Sequence, residues 1–244
     1  MHDPLVEELE DEDEVGESED EHDGPPERPG APRWLTLALG AVLAVTLVVA
    51  GGALAIASGL GSASAPADGS VDVGFARDMS THHEQAVQMA QIVRDQGTDP
   101  AVRLLAYDIE TQQLGQVGQM HGWLDAWGLT PQSTSAPMAW MGGMPAGAPG
   151  MAGMGSDGRL MPGMASTAEL AKLKSLSGKA LDVYFLQLMV RHHQGGLSMA
   201  QYAATHAGKS YVRSLATKIV IAQNAEVTTM EQLLTARGAT PLQD

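Results

Sequence analysis

Apolar positions change their spacing twice along the chain, and each change marks an element. From Leu35 to Ala57, 23 residues pass without a charge. At about 1.5 Å per residue that run covers the roughly 30 Å core of a bilayer. Further on, Phe75, Met79, His82, Ala86, Met89 and Val93 alternate spacings of four and three, the signature of one helical stripe. Val102, Leu105, Ile109, Gln113, Val117, Met120 and Leu124 form a second stripe. Between the two, Gly97 ends the first helix, and Asp99-Pro100 supplies an N-cap followed by proline at the first helical position.

The pattern then repeats. A shift of 110 positions aligns 75–131 with 185–241 without a gap, and 20 of the 57 positions are identical. The matches include Phe75/Phe185, Met79/Met189, His82/His192, His83/His193, Met89/Met199, Ile109/Ile219, Gln113/Gln223, Met120/Met230 and Gly128/Gly238. Gly128 and Gly238 suit C-terminal stops. Two amphipathic hairpins, each with one apolar face to hide, bury those faces against each other. The expected fold is therefore all-α: an antiparallel four-helix bundle built from two duplicated αα-hairpins, plus one N-terminal transmembrane helix.

Composition refines this organisation. Residues 1–33 hold 14 acids against two arginines, so they carry −12 of the formal −15. With five prolines and few apolar side chains, this stretch reads as a disordered acidic tail. Residues 34–58 are the anchor, with Trp34 at its edge, and Arg28 and Arg33 before it favour a cytoplasmic tail and an extracytoplasmic C-terminal domain. A signal peptide cleaved after Ala65 is the competing reading, in which case the domain is secreted; the long apolar run favours an uncleaved anchor in the cytoplasmic membrane. Residues 59–71 form a flexible tether, and 72–241 form the bundle, divided into a hairpin over 72–130, a loop over 131–166 and a hairpin over 167–241. The remainder carries only −3 net and no basic patch, which argues against nucleic acid as a partner. No feature identifies a protein partner.

The absence of cysteine removes disulfides, thiolate zinc sites and Cys nucleophiles. A soft-metal site must then use thioether sulfur or imidazole. Met79, His82, His83 and Met89, with Met189, His192, His193 and Met199, are the candidate ligands, and hairpin register brings Met120 near Met79 and Met230 near Met189. Each copy would thus gather two imidazoles and two or three thioethers. That set suits Cu(I) or Ag(I), and zinc through imidazole remains an alternative. The bland alternative is core packing, with the histidines bonded to Gln113 or Gln223. The loop adds Met138, Met141, Met144, Met151, Met154, Met161 and Met164 as possible auxiliary ligands. His121 and His206 lack repeat equivalents and read as surface residues. No Glu-x-x-His pair lies in the bundle stretches, no nucleophile elbow occurs and no glycine loop follows a strand to hold phosphates, so the chain reads as a non-enzyme.

The stretches Met79-Ser-Thr-His-His-Glu-Gln-Ala-Val-Gln-Met-Ala90 and Met189-Val-Arg-His-His-Gln-Gly-Gly-Leu-Ser-Met-Ala200, with Met161-Pro-Gly-Met164 between them, resemble the bacterial family called domain of unknown function 305. The resemblance covers about 72–241. It implies a ferritin-like four-helix bundle in exported bacterial proteins, some linked to copper, and points to the same His and Met residues as ligands. The family often places an acid in the second helix of each hairpin; Glu226 fits and Gln116 departs, which implies unequal halves.

Overall fold

The computed structural model describes residues 33–57, 64–133, 135–142 and 158–242, with the side chains of the first helix described at 37 and 40–54. Residues 1–32 of the acidic tail, 59–63 of the tether and Met144, Met151 and Met154 lie outside the described residues. The chain divides into two units, Met1–Ala63 and Ser64–Asp244. In the first, α1 (Arg33–Ala57) is one continuous helix. The expected N-terminal transmembrane helix is not found there: among the described residues no helix is long and apolar enough to cross a membrane. The described side chains of α1 are exposed throughout, as in Leu37, Val42, Leu47 and Val48.

The second unit is helical, with no strand among the described residues. Four long helices, α2 (Val71–Gln96), α3 (Pro100–Ala126), α5 (Gly178–His206) and α6 (Ser210–Ala236), are joined by a short α4 (Thr167–Ser175) and a single 3-10 turn at Ala139–Met141. The main packing pairs are α2 with α3, α5 with α6, and α2 with α5. Asp99 caps α3 by accepting from the N–H groups of Ala101 and Val102, and Gly128 and Gly238 take φ of 71° and 68° beyond α3 and α6. These stops are the ones the sequence calls for.

One carboxylate in each copy ties the copies together. Asp72, near the start of α2, accepts from the N–H groups of Gly208 and Lys209 in the α5–α6 turn. Asp182, 110 positions on, accepts from Asp99 N and Thr98 Oγ1 in the α2–α3 turn. Both are buried. Each hairpin thus closes the open turn of the other, and this fixes α2 antiparallel to α5. The apolar core repeats the relation. One cluster holds Phe75, Met79, Met120, Leu124, Met199, Val212 and Ile219. The other holds Phe185, Met189, Met230, Leu234, Met89, Val102 and Ile109, the same set moved by 110 positions.

Two segments depart from the expected boundaries. The second hairpin does not begin at 167: α4 is a separate helix, closed by a capping box in which Ser166 Oγ accepts from Glu169 N and the Glu169 carboxylate accepts from Ser166 N. The stretch between the hairpins is docked at both described ends rather than loose. Its first end is held by Asp78, whose Oδ2 accepts from Met138 N at 2.6 Å and Trp140 Nε1 at 2.7 Å. Trp140 fits there because Gly74 has no side chain: a Cβ would lie 2.1 Å from the indole.

Replacing Asp182 with Ala leaves the Asp99 N–H and the Thr98 hydroxyl without their acceptor. A loss of about 1–3 kcal/mol is expected, or roughly 2–10 °C in Tm for a domain of this size. Thermal melting of the D182A chain checks it, and an unchanged Tm contradicts this account of how the hairpins are locked.

Candidate metal centre

Where α2 crosses α5, the two His-His pairs meet. His82, His83, His192 and His193 are each 0% exposed. The rings of His82 and His192 lie 3.9 Å apart between centroids, tilted by 40°. The sequence suggests one ligand set per copy; the structure instead brings both copies' imidazoles to one central place. Their methionines separate to either side. Met79 and Met120 share a cluster with Met199 of the other copy, while Met189 and Met230 share theirs with Met89. All six are fully buried. An antiparallel crossing causes this, since the residue seven positions beyond one His pair lands beside the start of the other motif.

Three of the four imidazoles are oriented in one way. His82 donates its Nε2–H to the Pro162 carbonyl at 3.1 Å, His83 to Gln116 Oε1 at 2.7 Å, and His193 to Glu226 Oε2 at 2.6 Å. Gln116 and Glu226 are repeat equivalents, so the position that separates the halves in sequence occupies the same place in each. In a neutral imidazole so held, Nδ1 keeps the lone pair. The Nδ1 atoms of His82, His83 and His193 are buried without a hydrogen-bond partner among the described residues, as are both nitrogens of His192. Gln113 Oε1 and both polar atoms of the Gln223 side chain share that state. The alternative in which Gln113 and Gln223 satisfy the histidines is therefore not what the structure forms.

A buried orphan polar atom costs about 1–3 kcal/mol, and a whole domain is stable by only about 5–15 kcal/mol. Eight such atoms in one place argue for a ligand there. Among the described residues no three His, Asp or Glu side chains converge as a ready-made metal site. A cation would have to turn the rings or recruit thioether sulfur.

The Met161-Pro-Gly-Met164 segment roofs the centre. Pro162 and Gly163 press onto α5 where Gly195 leaves room: a Cβ at 195 would lie 2.2 Å from Pro162 O. Gln85, the equivalent of Gly195 in the first copy, instead reaches across, donating to Ala165 O and accepting from Ala165 N. Gly196 makes space for the His82 ring, which a Cβ there would approach to 3.0 Å. Met161 and Met164 are buried by this docking, and Met138 and Met141 are buried by the other docked end. No sequence signal singled out Gly195 and Gly196, and the roof they admit was not legible. His121 faces Glu84 at 3.9 Å and His206 stacks on Tyr202, both away from the centre.

Burial holds the imidazoles of His82, His83 and His192 neutral. Loss of solvent lowers His82 to about 4 despite the Pro162 hydrogen bond, and lowers His83 to about 3, helped by the neighbouring His82. His192 falls well below the ordinary histidine range for the same reason. At Glu169 burial acts upward, but hydrogen bonds from Arg191, Ser166 N and Arg159 win and bring it to about 2. An unfolded histidine takes its proton near 6.5. Folding stability from His82 and His83 is therefore complete above about pH 6.5 and is lost as pH falls toward 4, whereas the Glu169 contribution fades only below its ordinary value of 4.5. Metal-free protein is expected to melt progressively lower between about pH 6.5 and 4.5, and a His82→Gln, His83→Gln variant to show a flatter profile. Parallel profiles for the two proteins would refute the assignment.

Comparison with known proteins places this architecture. A family model described as Domain of unknown function (DUF305) matches residues 72–234. A solved DUF305 protein from Streptomyces coelicolor is 44% identical, with a TM-score of 0.64 over 73% of this chain and all of its own. A DUF305 fragment from Deinococcus radiodurans is 33% identical, with a TM-score of 0.54 over 68% of this chain and 96% of its own. CopM in its Cu(I)-bound form is 22% identical over 68% of this chain and 96% of its own, with a TM-score of 0.49, a likeness too slight to carry an argument about ligands. No curated protein matches. The chain belongs to the DUF305 family.

Proposed function

We propose that this chain is a non-enzymatic, membrane-anchored protein that holds Cu(I) or Ag(I) outside the cytoplasmic membrane and sequesters it or passes it on. The observation that carries the reading is the set of five unpartnered ring nitrogens buried at the α2–α5 crossing. Metal-bound histidines characteristically donate their second ring N–H to an oxygen. His82, His83 and His193 already do so through Nε2, which assigns Nδ1 as the ligating atom. His192, with both nitrogens free, is the adaptable fourth. Met79, Met120 and Met199 on one side, and Met189, Met230 and Met89 on the other, supply soft sulfur without charge. Such a set favours a monovalent soft cation over Mg or Ca, which demand oxygen. Zinc, which imidazole also suits, is the competitor. Met138, Met141, Met161 and Met164 lie in the same apolar cluster as Met79 and extend the thioether supply toward the roof.

The roles then divide by position. The Pro162 carbonyl, Gln116 and Glu226 orient rings; the roof excludes water; burial keeps protons off the nitrogens. The ferritin-like bundle serves as a rigid frame that places the two His-His pairs opposite each other. By this reading the 23 uncharged residues from Leu35 to Ala57, with Arg28 and Arg33 on the tail side, anchor the protein to the membrane; the support is the sequence alone, since the described part of α1 is not long and apolar enough to span one.

A second reading, a cell-envelope interaction module whose histidines only pack, draws on the close His82–His192 ring contact and the lack of a convergent site. Anaerobic titration with Cu(I) against a competing chelator separates the two. The metal reading expects His82→Ala with His192→Ala to weaken binding by at least about 100-fold while the domain stays helical. Undiminished affinity in that variant, or no binding by the parent chain, favours the module. A finer expectation concerns the two halves: Glu226→Gln, which makes the second copy resemble the first, should weaken Cu(I) binding about 10-fold. Affinity equal to that of the parent would remove Glu226 from the orienting role.

A further inference from the structure

The internal repeat gives every position of α3 a counterpart on α6, yet the outer faces of the two helices differ. On α3, Leu104 is 61% exposed, Tyr107 52% and Leu114 55%. Their helical spacing puts them on one stripe, on the side away from the buried residues that pack α3 against α2. Thr111 lies in the same stripe, and its hydroxyl donates to Tyr107 O and Asp108 O of its own helix. On α6 the counterparts of Leu104, Tyr107 and Leu114 are Ser214, Thr217 and Asn224, all exposed. A polar outer face is therefore sufficient for a second helix of this bundle.

Glycines fill the rest of the α3 face. Gly115, Gly118 and Gly122 are exposed and lie well inside the helix, where each costs roughly 1 kcal/mol relative to alanine. At Gly195 and Gly196 a neighbouring atom of the chain explains that cost. Here none does, because a Cβ at 115, 118 or 122 would meet no atom within 4 Å. The α6 counterparts, Ala225, Thr228 and Gln232, carry side chains in the same helical positions. The open space on α3 thus points outward, to a neighbour that comes close to its backbone.

The stripe is complementary to itself. Two copies of α3 laid antiparallel about a point between Leu114 and Gly115 set Leu114 against Gly115, Thr111 against Gly118 and Tyr107 against Gly122 of the facing helix. Each side chain meets a gap. Every such contact occurs twice, as a twofold pairing requires. The charges agree with this register: Arg103 of one helix comes beside Asp125 of the other, on the same flank of the stripe. Both residues are exposed and neither has an ion pair among the described residues; Arg103 uses Nε on Arg94 O. Opposite charges brought together in this way fix register and suppress other partners.

We infer that the outer face of α3 from Leu104 to Gly122 is the contact between two copies of this chain, paired antiparallel about a twofold axis at Leu114 and Gly115. The inference depends on neither the metal centre nor α1. The contact runs about 27 Å along each helix, which is small beside a standard interface of about 1,600 Å². The pair is therefore weak and reversible, and cross-linking is the readout that captures it.

The chain has no cysteine, so a single introduced thiol reports alone. Full-length Leu114→Cys, close to the axis, is oxidised with diamide beside Asn224→Cys, its counterpart on α6. Pairing predicts a disulfide-linked dimer at least about tenfold faster from the first. A mixture of Thr111→Cys and Gly118→Cys chains carrying different tags should link unlike chains in preference to like ones. Adding Gly118→Leu and Gly122→Leu to the Leu114→Cys chain fills the gaps, and should slow cross-linking to the Asn224→Cys rate without lowering Tm. A lower Tm with unchanged cross-linking makes the glycines structural and overturns the inference. Equal rates at positions 114 and 224 place any association elsewhere and overturn it as well. So does a thiol at 114 that maleimide cannot reach in dilute protein, which would mean that the chain covers this face itself.

Discussion

Four imidazoles taken out of water at the crossing of α2 and α5 set the terms for the rest of the bundle. A charged imidazole in that place would need a counter-ion that the centre does not hold, Glu226 beside His193 excepted, so the fold must keep the rings neutral and accept a low proton affinity at His82, His83 and His192. Neutral rings still carry polar nitrogens, and each needs an oxygen or a ligand. The Pro162 carbonyl, Gln116 and Glu226 each meet one such need on one side of a ring. The roof over 161–166 is as much a consequence of this constraint as the helices are, because it brings the carbonyl that His82 requires.

The same constraint explains why glycine appears where helices ordinarily avoid it. Gly195 and Gly196 sit in the middle of α5, where glycine costs roughly 1 kcal/mol relative to alanine. Gly195 lets the backbone of Pro162 and Gly163 approach, and Gly196 gives the His82 ring its place. The Gly163 turn, with φ of 76°, completes the fit. Helix propensity is given up locally so that the centre can be covered.

Much of this was legible in the sequence because it follows from periodicity and duplication. The stripes on α2 and α3, the Asp99 cap and the positions of Gly128 and Gly238 are local signals that tertiary packing did not override. The nearness of Met79 to Met120 follows from hairpin register alone, whereas the His83–Gln116 bond stands where the sequence points to Gln113. The grouping of ligands across the two copies was not legible, since it depends on how far α2 slides along α5, and that is set by Asp72 and Asp182 reaching turns more than 80 residues away. The docked ends of the Met-rich stretch were hidden for a related reason: their partners, Gly74, Asp78, Gln85 and Gly195, carry no local pattern that announces a neighbour.

Duplication makes the departures from symmetry informative. Positions that keep their identity across the two copies, such as the histidines, Met79 and Met189, and Asp72 and Asp182, serve the crossing that both halves share. Positions that differ serve something only one side does. Gln85 and Gly195 face one roof from two directions, so they cannot be alike. Gln116 and Glu226 orient equivalent rings with different charge, so the two sides of the centre present unequal fields to whatever binds there. A bundle selected for packing alone has no reason to keep all four histidines while varying Gln116 and Glu226, the residues that orient two of them. One that must place a covered, nitrogen-lined centre between two different surfaces does.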